Sequence, residues 1–275
     1  MKKVFLFMAL AAASVNSCDD LLSGAGSEGT TTTEQSVKSD TLRTSIIERT
    51  VNDSTGQYSI TLQMPTDKKD KLAVIITEYM SEMLGGTYEG DYADTTALMN
   101  HYIDATLEEF HSEYAEVPNW AEEGMQLSNN MAAKKEFESS KLITYVFTNE
   151  SFHGGAHGGY TVMGQTFRKS DGRRIDWDVL NKTYSEEFQE LLKHGLKEYF
   201  EVGSDDELKS MLLNESDYYS IPLPQCGPMF VKEGISFVYN QYEITPYAAG
   251  LPSFVVPYDK IKPFLNATGK KLITK

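Results

Sequence analysis

Apolar and polar residues alternate over 43–51 and again over 57–63, on either side of Asn52-Asp53-Ser54-Thr55-Gly56. Alternation at a period of two marks half-buried strands, and a short polar stretch closed by glycine reads as the turn between them. A β-hairpin is expected there. Beyond Pro65 and Asp67 the period lengthens: Leu72, Ile75, Ile76, Tyr79, Met80 and Met83 make one helical stripe, stopped by Gly85-Gly86. A second helix is expected over 95–114, with Leu98, Tyr102, Leu107, Phe110 and Tyr114 on its apolar face. Such aromatics and methionines at helical spacing are core packing. His101 and His111 fall on or near this helix without partners at ligand spacing.

After Met125 the pattern changes again. Segments 125–138, 141–150 and 160–169 read as three strands, followed by the turn Ser170-Asp171-Gly172 and one helical turn over 176–180. Helices are expected over 185–200, burying Phe188, Leu191, Leu192, Leu196 and Tyr199, and over 205–213 behind an acidic first turn. Segments 227–231 and 234–240 flank Lys232-Glu233 as a short hairpin, 254–257 is a last strand and 259–265 a final helical turn. Strands and helices arrive in blocks, which predicts an α+β fold of antiparallel sheets packed with helices. The helical block suggests a boundary near Glu122, between a smaller α+β domain (43–122) and a larger one (123–275).

The N-terminus bears on location. Lys2 and Lys3 precede an apolar run over 4–13, then small residues at 14–17, then Cys18. This is the plan of a secretory signal, and the run is shorter than the roughly 20 residues that span a bilayer. A cysteine directly after the cleavage zone reads as a lipoprotein signal: residues 1–17 are removed and Cys18 carries lipid. The alternative is an ordinary secreted protein with an incidental cysteine. Residues 18–42, rich in Ser, Gly and Thr, read as a flexible tether. The protein is thus expected in the cell envelope, lipid-anchored, at the outer membrane.

Removing Lys2 and Lys3 with the signal changes the formal net charge from -15 to -17. That surface disfavours nucleic acid and anionic headgroups and suits neutral or cationic partners. Cys226, between Pro224 and Pro228, is then the only thiol left and reads as a buried small hydrophobe.

The most distinctive segment is Phe152-His153-Gly154-Gly155-Ala156-His157-Gly158-Gly159-Tyr160. Two histidines four apart would share a helix face, as zinc ligands do, but four glycines oppose that helix. The segment is instead a strand-to-strand connection. No spacing marks a third ligand, so no metal and no cofactor is expected. The chain shows no Gly-x-Ser-x-Gly elbow, Cys–His pairing, phosphate loop or dinucleotide fingerprint, and the carboxylates Asp176 and Asp178 are not set apart from the other acids. No catalytic residue is assigned. The second distinctive segment runs from Tyr239 to Gly250, where alternation ends at Glu243 and Pro246 breaks the chain. Tyr242 reads first as a plug at the end of the sheet, and Tyr247 as a recognition side chain.

These two segments carry a resemblance. Gly154-Gly155-Ala156-His157-Gly158, with Thr166-Phe167, Asp171-Gly172-Arg173 and 176–180, is similar to the Gly-Gly-Ala-His-Gly region of a domain shared by the lysozyme-sensing anti-sigma factor RsiV and the peptidoglycan deacetylase PdaC. The stretch from Gly234 to Phe237, then Tyr242-Glu243-Ile244-Thr245-Pro246-Tyr247-Ala248-Ala249-Gly250, resembles that domain's closing motif. The likeness covers about residues 125–265. It implies a non-catalytic extracytoplasmic module binding lysozyme through loop residues: Pro246 and Tyr247, with Tyr242 nearby. His157 and Tyr160 join the expected recognition surface. No transmembrane helix, sigma-binding segment or deacetylase domain accompanies the likeness. The expected partner is a lysozyme-like protein or a cell-wall glycan. The alternatives are a metal-dependent glycan hydrolase using His153 and His157, or a structural member of a surface complex.

Overall fold

A computed structural model describes residues 41–67, 69–115 and 126–274. The signal, Cys18, the tether up to residue 40 and the boundary at Glu122 lie outside the described residues. Strands β1 (Thr44–Asn52) and β2 (Gly56–Pro65) pair antiparallel in the expected hairpin. Asp53 shapes its turn, accepting hydrogen bonds from the amides of Thr55 at 2.7 Å and Gly56 at 3.1 Å.

Helix α1 (Lys71–Met83) begins where the Asp70 carboxylate accepts from the Leu72 amide at 2.9 Å. It ends before Gly85 and Gly86, whose φ values of 128° and 71° suit glycine. Helix α2 (Thr95–Ala115) follows, and the Tyr102 hydroxyl lies 2.6 Å from that of Ser81 on α1. Both helices bury their stripes, Ile76, Tyr79 and Met80 from α1 and Leu98, Tyr102 and Phe110 from α2, against one face of the sheet.

That sheet has six strands in the order β1-β2-β3-β4-β5-β6, adding β3 (Leu127–Glu138), β4 (Leu142–Phe152), β5 (Gly159–Arg168) and the short β6 (Arg174–Ile175). The α+β class is the one observed, with one amendment. β2 and β3 run parallel, from Gly56 opposite Leu127 to Leu62 opposite Ala133, whereas all other neighbours are antiparallel. A parallel neighbour requires a crossover, and the α1–α2 block supplies it. The expected division near residue 122 therefore does not separate two sheets: β2 and β3 pair across it, and the described residues fall in one compact unit.

The rest of the chain packs around a second core. Helix α3 (Glu186–Phe200) is capped by Ser185, and α4 (Asp205–Met211) by a reciprocal Ser204–Glu207 capping box. A three-stranded antiparallel sheet, β7 (Met229–Phe230), β8 (Gly234–Val238) and β9 (Ser253–Pro257), is followed by α5 (Tyr258–Ile261) and α6 (Ala267–Ile273). Helix α6 is not signalled by the pattern of apolar residues, since it is short and holds Gly269; Asn266 caps it. Two buried threonines join the sheets. Thr144 donates to the Phe230 carbonyl at 2.7 Å, and Thr166 accepts from the Phe230 amide at 3.0 Å. Among the described residues no helix is long and apolar enough to cross a membrane.

Candidate functional site

Strand β5 is bordered by β6 only at Thr166 and Phe167, so the amides farther up its edge need other acceptors. Side chains of later loops provide them. The Tyr160 amide donates to Gln241 Oε1 at 3.0 Å, the Val162 amide to Asn240 Oδ1 at 2.8 Å, and the Gly164 amide to Cys226 Sγ at 3.1 Å. Asn240 Nδ2 also donates to the Val162 carbonyl at 3.1 Å, so this one side chain pairs with β5 as a neighbouring strand would. Cys226 is fully buried, and burial pushes its thiol up to about 11, as expected for a packing residue.

Glu243 holds the loop from below. Its carboxylate accepts from the Gln225 amide at 2.6 Å and the Asn240 amide at 2.8 Å. Burial raises its carboxyl above the usual range, and these two amides oppose the rise. The turn so fixed places Tyr242 in the left-handed region, with φ 63°, and leaves it 55% exposed. Positive φ is unusual for a bulky residue and costs on the order of 1 kcal/mol. Tyr242 therefore does not plug the end of the sheet: it projects from it.

The β4–β5 connection meets this loop. Gly154 and Gly155 take φ values of 85° and 90°, closed to most other residues, and so turn the chain. His157 then stacks on Tyr247, ring centroids 3.7 Å apart and planes 20° from parallel. Its Nδ1 lies 3.1 Å from the Gly158 carbonyl and its Nε2 3.3 Å from the Tyr242 hydroxyl. The carbonyl calls for a proton on Nδ1, and in the neutral tautomer so defined Nε2 accepts from Tyr242. Tyr242 and Tyr247 lie 5.9 Å apart between centroids. Together His157, Gly158, Gly159, Tyr160, Thr161, Asn240, Gln241, Tyr242 and Tyr247 line an open cleft of about 270 Å³.

Of the expected recognition residues, His157, Tyr160, Tyr242 and Tyr247 thus meet in one cleft. Pro246 is exposed at the entry to the helical turn Tyr247–Ala249 and does not line it. Asn240 and Gln241 join the cleft without being expected; their one signal in the sequence is an adjacent amide pair, shortly after the end of β8 at Val238. The two histidines diverge: His153 packs on Phe110 at 4.7 Å between centroids and lies 3.6 Å from the Glu113 carboxylate, so it serves α2. Among the described residues no group of three His, Cys, Asp or Glu side chains could hold a metal. Asp176 and Asp178 are also engaged separately, Asp176 capping the turn at Trp177 and Asp178 pairing with Arg173. The cleft offers aromatic faces, hydroxyls and amides.

Residues 178–259 match the family model described as a protein of unknown function, DUF3298. The structure is similar to a crystal structure of a DUF3298 family member from Bacteroides fragilis, with a TM-score of 0.68, 19% identity, and coverage of 86% of this chain and 98% of that one. A DUF3298 family protein from Pseudomonas aeruginosa gives a TM-score of 0.56 at 15% identity, covering 83% of this chain and 96% of that one. At these identities the likeness speaks for the fold. No curated protein matches. The matched segment carries Asn240, Gln241, Tyr242 and Tyr247; the glycine-bearing half of the cleft lies outside it.

Proposed function

We propose that this chain is a non-catalytic binding lipoprotein, anchored in the cell envelope through Cys18, whose cleft recognises a lysozyme-like protein. The observation that carries the reading is the exposed Tyr242, held at positive φ beside the His157–Tyr247 stack. Strained backbone clusters at ligand-contacting sites, and aromatic side chains carry much of the energy of protein interfaces. The net charge of -17 left once residues 1–17 are removed favours encounter with a basic protein such as lysozyme. The motif resemblance supports the same reading: it implies a contact through Tyr247 and Tyr242, which line the cleft, with Pro246 exposed beside them.

The test is a pull-down with lysozyme at low salt, repeated with Tyr247→Ala. Retention of lysozyme by the native protein and its loss in the variant is the expected result. No retention by the native protein sinks the reading.

A further inference from the structure

The six-stranded sheet has a second face, and its two halves differ. Over β4 and β5 the side chains Leu142, Thr144, Val146, Val162 and Thr166 are buried. Over β1, β2 and β3 the same face shows side chains that are exposed or only part-buried: Glu48 and Thr50, then Ser59 and Thr61, then Asn130 and Ala132. Register aligns them in two rows. One runs Thr50–Ser59–Asn130–Glu150–Tyr160, and the next runs Glu48–Thr61–Ala132–Thr148. With strands about 4.8 Å apart, the longer row crosses roughly 19 Å of sheet and ends at the cleft.

The chemistry of this face is specific. Ser59 donates to Asn130 Oδ1 at 2.8 Å, which leaves the Asn130 NH₂ group to donate outward. Thr50 and Thr61 add hydroxyls, and Glu150 adds an exposed acceptor. Ala132 lies between Thr61 and Thr148, so short side chains make a trough across the middle. The ammonium of Lys134 is taken by Glu136 at 2.8 Å. Glu48 and Glu150, in contrast, have no ion-pair partner among the described residues, so the face repels anions. Protein interfaces concentrate aromatic and apolar side chains at their centre, and here the centre is hydroxyl, amide and methyl. Ile46, 68% exposed, stands at the rim.

We propose that this face binds a neutral glycan chain laid across the strands, its hydroxyls exchanging hydrogen bonds with Thr50, Asn130, Thr61 and Glu150. Short polar side chains in cross-strand rows present donors and acceptors at regular spacing to a polyhydroxylated chain, and the trough at Ala132 lets it approach the sheet. The row meets the cleft at Tyr160, but Thr50, Thr61, Asn130 and Glu150 do not line the cleft, and the two are tested apart.

The probes are chitohexaose and cellohexaose, with a hyaluronate hexasaccharide as the anionic counterpart, titrated by calorimetry into the full chain. At least one neutral hexasaccharide is expected to bind and the anionic one is not. Ala132→Lys, which fills the trough, and Asn130→Ala, which removes the donor with little risk to folding, should each weaken binding by about tenfold. Tyr247→Ala should leave glycan binding unchanged while removing lysozyme. The proposal is overturned if neither neutral sugar binds, if the anionic sugar binds as well as the neutral ones, or if both face variants bind like the native protein. A failure of lysozyme binding alone leaves the glycan result standing on its own.

Discussion

The imidazole of His157 lies flat on the ring of Tyr247, with centroids 3.7 Å apart. This contact joins the β4–β5 connection to the closing loop, two segments far apart in sequence. His157→Ala should therefore loosen Tyr247 and weaken partner capture, while His157→Phe, which keeps a flat ring, should retain more of it. Equal loss in both would show that the imidazole's hydrogen bonds matter more than its stacking. Partner pull-down and surface plasmon resonance on the two variants decide this.

Asn240 satisfies both backbone groups of Val162, a residue only 3% exposed. Asn240→Ala leaves a donor and an acceptor unpaired at a buried strand edge. The expected cost is about 2 kcal/mol, read from urea unfolding midpoints. Asn240→Asp keeps the acceptor for the Val162 amide and loses the donor, so its cost should be smaller unless its added charge, near Glu243, dominates.

Tyr242 separates function from stability. Asn enters the left-handed region more readily than a bulky aromatic residue. Tyr242→Asn should leave the thermal midpoint unchanged or raised and reduce partner binding. A clear fall in the midpoint would mean that the phenol ring, through His157, supports the fold itself.

Asp53 gives a pH dependence. Burial alone would raise its carboxyl, but hydrogen bonds from Thr55, from His111 and from the Thr55 and Gly56 amides prevail and bring it from 3.8 down to about 2. A carboxyl that is more acidic when folded stabilises the fold above its unfolded pKa and loses that contribution as pH falls through the folded value. The stability advantage of the native protein over Asp53→Ala should thus be full at about pH 6 and shrink as pH falls toward 2. Urea midpoints of both proteins across that range supply the check. A gap that stays constant or grows on acidification contradicts the assignment.

The hairpin, the two helical stripes and the β4–β5 pair were legible because each rests on local period and local turn chemistry. Asn52 to Gly56 and Gly85-Gly86 declare themselves within a few residues. The parallel β2–β3 pairing was not legible, since both strands read alike whichever way they run and the deciding fact is where α1 and α2 return the chain. The cleft was half legible. Its glycines and tyrosines are conspicuous, but their convergence depends on Asn240, Gln241 and Glu243 pinning one loop to the edge of β5, and no spacing in the sequence reports such a contact. Tyr242 departs from the expected plug for the same reason: its direction is set by a positive φ imposed by that pinning.

The parallel pairing also has a kinetic meaning. The β1–β2 hairpin and the β3–β4–β5 meander are each made of near neighbours, but the bonds between Gly56–Leu62 and Leu127–Ala133 close only after the whole intervening stretch has found its place. Contacts so distant in sequence slow folding. Until they form, β3 presents an open edge with Leu127, Met131 and Ala133 unburied, the kind of surface on which partly folded chains associate. A fragment beginning at β3 carries that exposed edge permanently. Expression of the recognition loop in soluble form should accordingly require the hairpin that precedes it by more than half the chain.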